Sequence, residues 1–184
     1  CADLDEAIRV ASRHPAARFG TAEVRPFVPS ADGARVVPPG FPERPTKGKR
    51  YLMLVCVDPD APAGPPTDPD AWVGEMDSRG VRLFGQVLQP PSDATFVSTR
   101  GGKVLLGDGP FSEAKEWIAG LDLIEVSGLD EAIEVAAAHP MAQGGLIVLN
   151  PVWSFDPQED HVARADREAP LRDTRTEPTV EAVR

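Results

Sequence analysis

Two cysteines in 184 residues are too few for a disulfide framework. No stretch of the chain approaches the uninterrupted apolar length of a membrane-spanning helix. The first residues, Cys1-Ala2-Asp3-Leu4-Asp5-Glu6, are acidic, where a secretory signal would be basic and then apolar. The expected compartment is therefore the cytoplasm, with no membrane partner. Basic charge is also scarce: 19 Lys and Arg face 29 Asp and Glu, a formal net charge of −10. The one basic cluster is Lys47, Lys49 and Arg50, so no nucleic-acid partner is expected, because phosphate binding needs clustered cations. No Cys/His cluster has metal-ligand spacing. There is no phosphate-binding glycine loop, and Gly107-Asp108-Gly109 lacks the strand–turn–helix context of a nucleophile elbow. Neither a metal nor a cofactor is expected.

Hydrophobic residues make up 41% of the chain, enough for a core. Cys56, within Leu52-Met53-Leu54-Val55-Cys56-Val57, reads as a small core side chain. Cys1 invites an N-terminal-nucleophile reading, but an internal repeat explains its place better. A shift of 125 residues lays residues 4–27 on 129–152 without a gap, with 12 identities in 24 positions. Leu4-Asp5-Glu6-Ala7-Ile8 falls on Leu129-Asp130-Glu131-Ala132-Ile133, Val10-Ala11 on Val135-Ala136, and His14-Pro15 on His139-Pro140. Ala17, Gly20 and Pro26 meet Ala142, Gly145 and Pro151. A duplicated unit gives such a match; chance does not.

Each copy of this segment predicts helix, turn and strand. Leu129, Ala132, Ile133 and Ala136 form one helical stripe. Ser127 with Asp130 resembles a capping pair, and His139-Pro140 marks the stop. The predicted helices span about 3–13 and 128–138, and the predicted strands about 21–27 and 146–150. Residues 1–28 thus hold only the ending of a first repeat. Its front half is expected upstream of Cys1, and the absent initiator Met is read the same way, as the mark of a piece of a longer tandem protein. Residues 29–49, with five prolines and three glycines, read as a linker. Residues 50–153 read as a complete second repeat, and 154–184 as a charged, disordered tail.

Within the complete repeat, Tyr51–Val57 reads as a strand. Asp58 to Pro66 reads as a rigid loop, and Asp68-Pro69 as a helix start, with Trp72, Val73 and Met76 on its apolar face and Gly80 at its end. Val81–Leu88 reads as a strand with Val81, Leu83 and Val87 on one face. Thr95–Thr99 and Lys103–Leu106 flank Gly101-Gly102 as a hairpin, and Ile118–Val126 is a further strand. This order predicts an α+β, ferredoxin-like domain with an antiparallel sheet and both helices on one face. The helix-free face must then be buried against another sheet.

The most specific stretch is Gly107-Asp108-Gly109-Pro110-Phe111-Ser112-Glu113-Ala114-Lys115-Glu116-Trp117. It resembles the signature D-G-P-F-x-E-x-K-E of the DGPF branch of the YCII-related family, supplied here by Asp108, Gly109, Pro110, Phe111, Glu113, Lys115 and Glu116. Leu88-Gln89-Pro90-Pro91 and Leu129-Asp130-Glu131-Ala132 resemble that branch too. The resemblance covers residues 50–153, and 2–28 for the half copy. It implies a dimeric α+β barrel, completed by a second DGPF/YCII repeat in the same parent chain or by a homodimer. Some YCII-related relatives act on small cyclic or chlorinated metabolites with a His and an Asp. The DGPF branch often neighbours extracytoplasmic-function sigma factors. The sequence departs from the usual pattern after His139-Pro140-Met141-Ala142: Gln143 stands where copy one has Arg18, and Glu23 and Arg25 become Val148 and Asn150.

Two readings stay open for each candidate residue. Asp108 is a general base at a barrel mouth or a turn residue. His139 is its acid/base partner or a helix-terminal histidine interacting with the last carbonyls. Phe111 and Trp117 are aromatic walls of a ligand cleft, or Trp117 is core; Lys115 is a polar contact or part of a solvated face. The expected cleft lies between the Asp108–Lys115 loop and the sheet face carrying Leu121 and Leu123. Two functions follow: a small-molecule-binding domain, tied to sigma-factor regulation by family analogy alone, or a small-molecule lyase or isomerase using Asp108 and His139.

Overall fold

The computed structural model describes residues 1–29, 48–58, 68–109 and 116–152, with the backbone of 179–182. The elements run α1 (Leu4–Arg13), β1 (Ala22–Val24), β2 (Lys49–Val57), α2 (Pro69–Ser78), β3 (Arg82–Val87), β4 (Thr95–Arg100), β5 (Lys103–Asp108), β6 (Trp117–Val126), α3 (Leu129–Ala137), β7 (Leu146–Pro151) and β8 (Thr179–Ala182), with short 3₁₀ turns at Pro15–Arg18, Pro91–Asp93 and Pro140–Gln143. They form two compact units, one of residues 25–94 and 109–152, the other of 1–24, 95–108 and 153–184. The linker and rigid-loop expectations fall largely outside the described residues, as does most of the tail.

The larger unit is ferredoxin-like. Its sheet has the order β3-β6-β2-β7, and every neighbouring pair is antiparallel. The chain threads it as β2-α2-β3-β6-α3-β7, a split β-α-β pattern interrupted by the β4–β5 hairpin. Local chemistry sets its helix ends. Asp68 accepts N–H bonds from Asp70 and Ala71 at 3.0 and 3.3 Å, with Pro69 in the first turn. At the other end Gly80 takes φ +69°, Gly80 N–H donates to Asp77 O and Val81 N–H to Met76 O, both at 3.0 Å. That is a Schellman ending, which favours glycine at the left-handed position. The capping of α3 differs from the expectation. Ser127 pairs with Glu131 rather than Asp130: its N–H and hydroxyl both donate to Glu131 Oε2 at 2.7 Å, because the cap position falls on Gly128 and moves the reach by one residue.

Alternation along the strands sorts the two sheet faces. Tyr51 and Met53 of β2, with Ile124 and Val126 of β6, pack under Trp72, Met76, Ala132, Val135 and Ala136 of the helices. Replacing Met53 or Ile124, both 0% exposed, by Ala would cost about 2–5 kcal/mol. The opposite face pairs Leu52 with Leu123, Leu54 with Leu121, and Arg50 with Glu125, whose side chains form a 2.8 Å ion pair. The expected single face for Val81, Leu83 and Val87 does not hold: a register shift between Arg82 and Phe84 leaves Val81 in the core and Val87 59% exposed. Bulges reverse such alternation because one extra residue is inserted.

The smaller unit holds a sheet of order β1-β4-β5-β8. Its hairpin turns at Gly101 and Gly102, both at positive φ (56° and 81°), as a tight hairpin requires. Thus residues 95–108, expected with 50–153, group with residues 1–24, because β4 pairs with β1. The tail supplies β8, parallel to β5, where no strand was expected. Thr99 Oγ1 donates to Ser12 O at 3.0 Å, and Arg100 donates to Ala17 O and Gly20 O at 2.8 and 3.0 Å, tying α1 and the turn after it to the sheet.

Candidate functional site

Asp122 is a charged residue in the apolar run Leu121-Asp122-Leu123-Ile124, and it shares parity with Ile124 and Val126. Its carboxylate therefore sits on the helix-covered face of β6, 6% exposed. Arg82 meets it from β3, with Nε on Asp122 Oδ1 at 2.7 Å, while its Nη1 reaches Asp77 Oδ1 at 3.3 Å. Gly85, directly opposite Asp122 in the ladder, makes room for the pair: a Cβ there would overlap the Asp122 carboxylate and the Arg82 guanidinium.

His139 closes the group from the end of α3. It is 7% exposed, and its ring stands edge-on to Trp72, with centroids 4.5 Å apart at 70°. Trp72 Nε1 in turn donates to Val135 O at 3.3 Å. The helix-end reading of His139 needs correcting in its direction. The ring does not donate to the last helical carbonyls; Nδ1 accepts the Met141 N–H at 3.1 Å and caps the following 3₁₀ turn. An accepting Nδ1 requires the neutral ring with its proton on Nε2. Electrostatics agree. Burial pushes the His139 pKa down, Arg82 adds to that, and Asp122 opposes it. Burial pushes the Asp122 pKa up, against the hydrogen bond and charge of Arg82 and the charge of His139. Burial thus acts on both groups in the same sense, favouring the neutral form of each.

Asp108 ends β5 as an exposed residue, paired across the hairpin with Thr95. It belongs to the smaller unit and His139 to the larger. Trp117 opens β6, half-buried, with the Arg25 guanidinium 5.9 Å from its ring centroid. Arg25 also donates to Ile118 O at 2.8 Å. Phe111 and Lys115 lie outside the described residues. By alternation Leu121 and Leu123 belong to the helix-free face, away from the Asp122 side. Cys56 is half-buried on that same strand system, its thiol pushed up by burial and by the Glu116 charge. Among the described residues no helix is long and apolar enough to cross a membrane.

Sequence reasoning missed Arg82, Gly85 and Asp122. The usable signal was the parity of Asp122 with the core residues of its strand. Its partner, 40 residues earlier on a bulged strand, left no spacing to read.

An antiparallel β3-β6-β2-β7 sheet with two helices on one face, carrying a buried Asp–Arg–His group, defines an α+β protein of the ferredoxin-like type. The YCII-related domain model matches residues 53–156, and the chain belongs to that family. It is also similar to an uncharacterised protein of Rhizobium meliloti (strain 1021), 32% identical, the match covering 36% of this chain. That match spans 65% of the relative's own length.

Proposed function

We propose that this chain is a small-molecule-binding member of the DGPF branch of the family, with its ligand on the helix-free face of the larger unit. The supporting observation is that face itself. Leu52, Leu54 and Leu121 are half-buried side by side there, next to the buried Leu123, with the Arg50–Glu125 pair at one end. An apolar floor with a few polar groups is the ordinary composition of a small-ligand site. Phe111, Lys115 and Trp117 are the residues we propose to meet the ligand, and a second DGPF/YCII repeat or a homodimer partner is proposed to close the other side. The tie to extracytoplasmic-function sigma factors rests on the family resemblance alone.

The specific observation favouring a second reading, a lyase or isomerase, is the Asp122–Arg82–His139 group. In that reading His139 and Asp122, rather than His139 and Asp108, relay the proton, with Arg82 orienting the carboxylate. A metabolite-mixture thermal-shift screen tests both, since a ligand that binds only the folded state raises Tm by mass action. A hit abolished by Leu121→Asp supports the helix-free face. A hit that is consumed, with turnover lost in His139→Asn and kept in Asp108→Asn, supports the second reading. No hit at all counts against both.

A further inference from the structure

The chain carries one histidine cap twice, once at the surface and once in a core. His14 and His139 leave their helices at φ/ψ of −63°/132° and −66°/131°, and each accepts an N–H two residues on through Nδ1, at 3.2 and 3.1 Å. The bonds match; their surroundings do not. His14 is exposed, so water replaces whatever its ring gives up. His139 is 7% exposed with Trp72 edge-on to its ring, so any change at its Nδ1 must be answered by the protein.

Protonation reverses the cap. The neutral ring accepts at Nδ1, whereas an imidazolium donates from both nitrogens. Its Nδ1–H would face the Met141 N–H, donor against donor, and that contact cannot persist. The charges around the ring decide which side moves. Arg82 of β3 spans Asp122 of β6 at 2.7 Å and Asp77 of α2 at 3.3 Å. A neutral ring leaves the two acids sharing Arg82, and a charged ring evens the balance. Burial and Arg82 oppose the charge on His139, while Asp122 favours it. Farther out, Arg79 pairs with Glu75 and Glu131 at 3.4 and 3.8 Å. From β2 the group on this face is the Tyr51 phenol, and Leu146–Pro151 of β7 carries no ionisable side chain. The cluster therefore has a place for the charged ring, and the turn beyond it is the part that yields.

That turn, Pro140–Gln143, is lightly held. Ala142 N–H donates to His139 O at 2.9 Å, and Gly144 N–H to Met141 O at a long 3.4 Å. Its residues are half-buried or exposed, whereas α3 before it buries Ala132, Val135 and Ala136. It delivers Gly145 against β2, where a Cβ would stand 2.5 Å from Cys56 O and 3.1 Å from Met141 O. The first pairs of β7, Leu146 with Cys56 and Ile147 with Val55, follow directly. The seat of the turn and the start of β7 are thus one mechanical piece.

We infer that His139 is an acid-released latch on residues 140–147. Neutral, it pins the Met141 N–H and seats Gly145 on β2. Protonated, it stays with Asp122 and frees the turn and the start of β7, while the rest of the larger unit remains folded. This holds whether or not the cluster also meets a ligand. The test follows imidazole signals and amide protection by NMR in the 184-residue chain from about pH 7.5 to 5. Protection at Met141, Ala142 and Leu146 falls at least ~10-fold as His139 charges, and Met76 and Ile124 keep theirs. His139→Asn, whose carboxamide oxygen accepts the same N–H without titrating, removes the fall. Asp122→Asn moves it to lower pH, since the charged ring loses its acid. An equal loss at Met76 and Ile124 would be general unfolding and overturns the inference. So does protection unchanged through the titration of the ring, a fall that survives in His139→Asn, or a midpoint indifferent to Asp122→Asn.

Discussion

Residues 4–27 and 129–152 are near-copies in sequence and local backbone, yet Val10 lies open where Val135 is sealed, and His14 is exposed where His139 is buried. Helix, cap, 3₁₀ turn and strand form in both, so these are local properties of the segment. Burial of the helix and of its terminal histidine, and the aromatic contact, belong to the copy that has β2, α2 and β6 around it. A residue's chemistry here is set by its neighbours in space rather than by its motif.

Paired substitutions at matched positions would break or sharpen this contrast. The largest effect is expected from Val135→Asp, which buries an unpaired charge and should destabilise by about 4 kcal/mol, while Val10→Asp stays within about 0.5 kcal/mol. Urea unfolding of both variants measures this, and comparable losses would mean that the first helix is covered after all. Next comes His139→Asn, which removes the edge contact with Trp72 and leaves a gap beside Asp122. We expect a loss of about 2 kcal/mol, against less than about 0.5 for His14→Asn. Calorimetric Tm values would separate them.

Gly145→Ala should cost about 1–2 kcal/mol, since its Cβ presses on the Cys56 carbonyl, and Gly20→Ala less than half as much. The smallest effect is the pH dependence. Folded His139 resists the proton that the unfolded chain takes up, so stability falls as pH drops through the ordinary histidine value of 6.5 toward the lowered folded one. Asp122, pushed up, works with the opposite sign as pH rises from its ordinary value of 3.8 toward its raised one. Denaturation midpoints between about pH 5.5 and 7 read the histidine's part by comparison with the His139→Asn variant. His139→Asn should flatten that slope, and an unchanged slope would assign it elsewhere.

The residues by themselves determined the local elements. Asp68-Pro69 and Gly80 bound α2, Gly101-Gly102 turn the hairpin, and His139-Pro140 ends α3; each works through backbone conformations or hydrogen bonds a few residues long. The split β-α-β order followed from those elements, and with it the ferredoxin-like class. Tertiary structure alone decided that the hairpin pairs with β1, since an antiparallel edge accepts any strand of suitable register. It alone decided that Asp122 meets Arg82 across a bulge over Gly85, and that His139, rather than its twin His14, packs on Trp72. Burial and ion pairing join residues 40 or more positions apart, and no periodicity in the chain encodes such a distance.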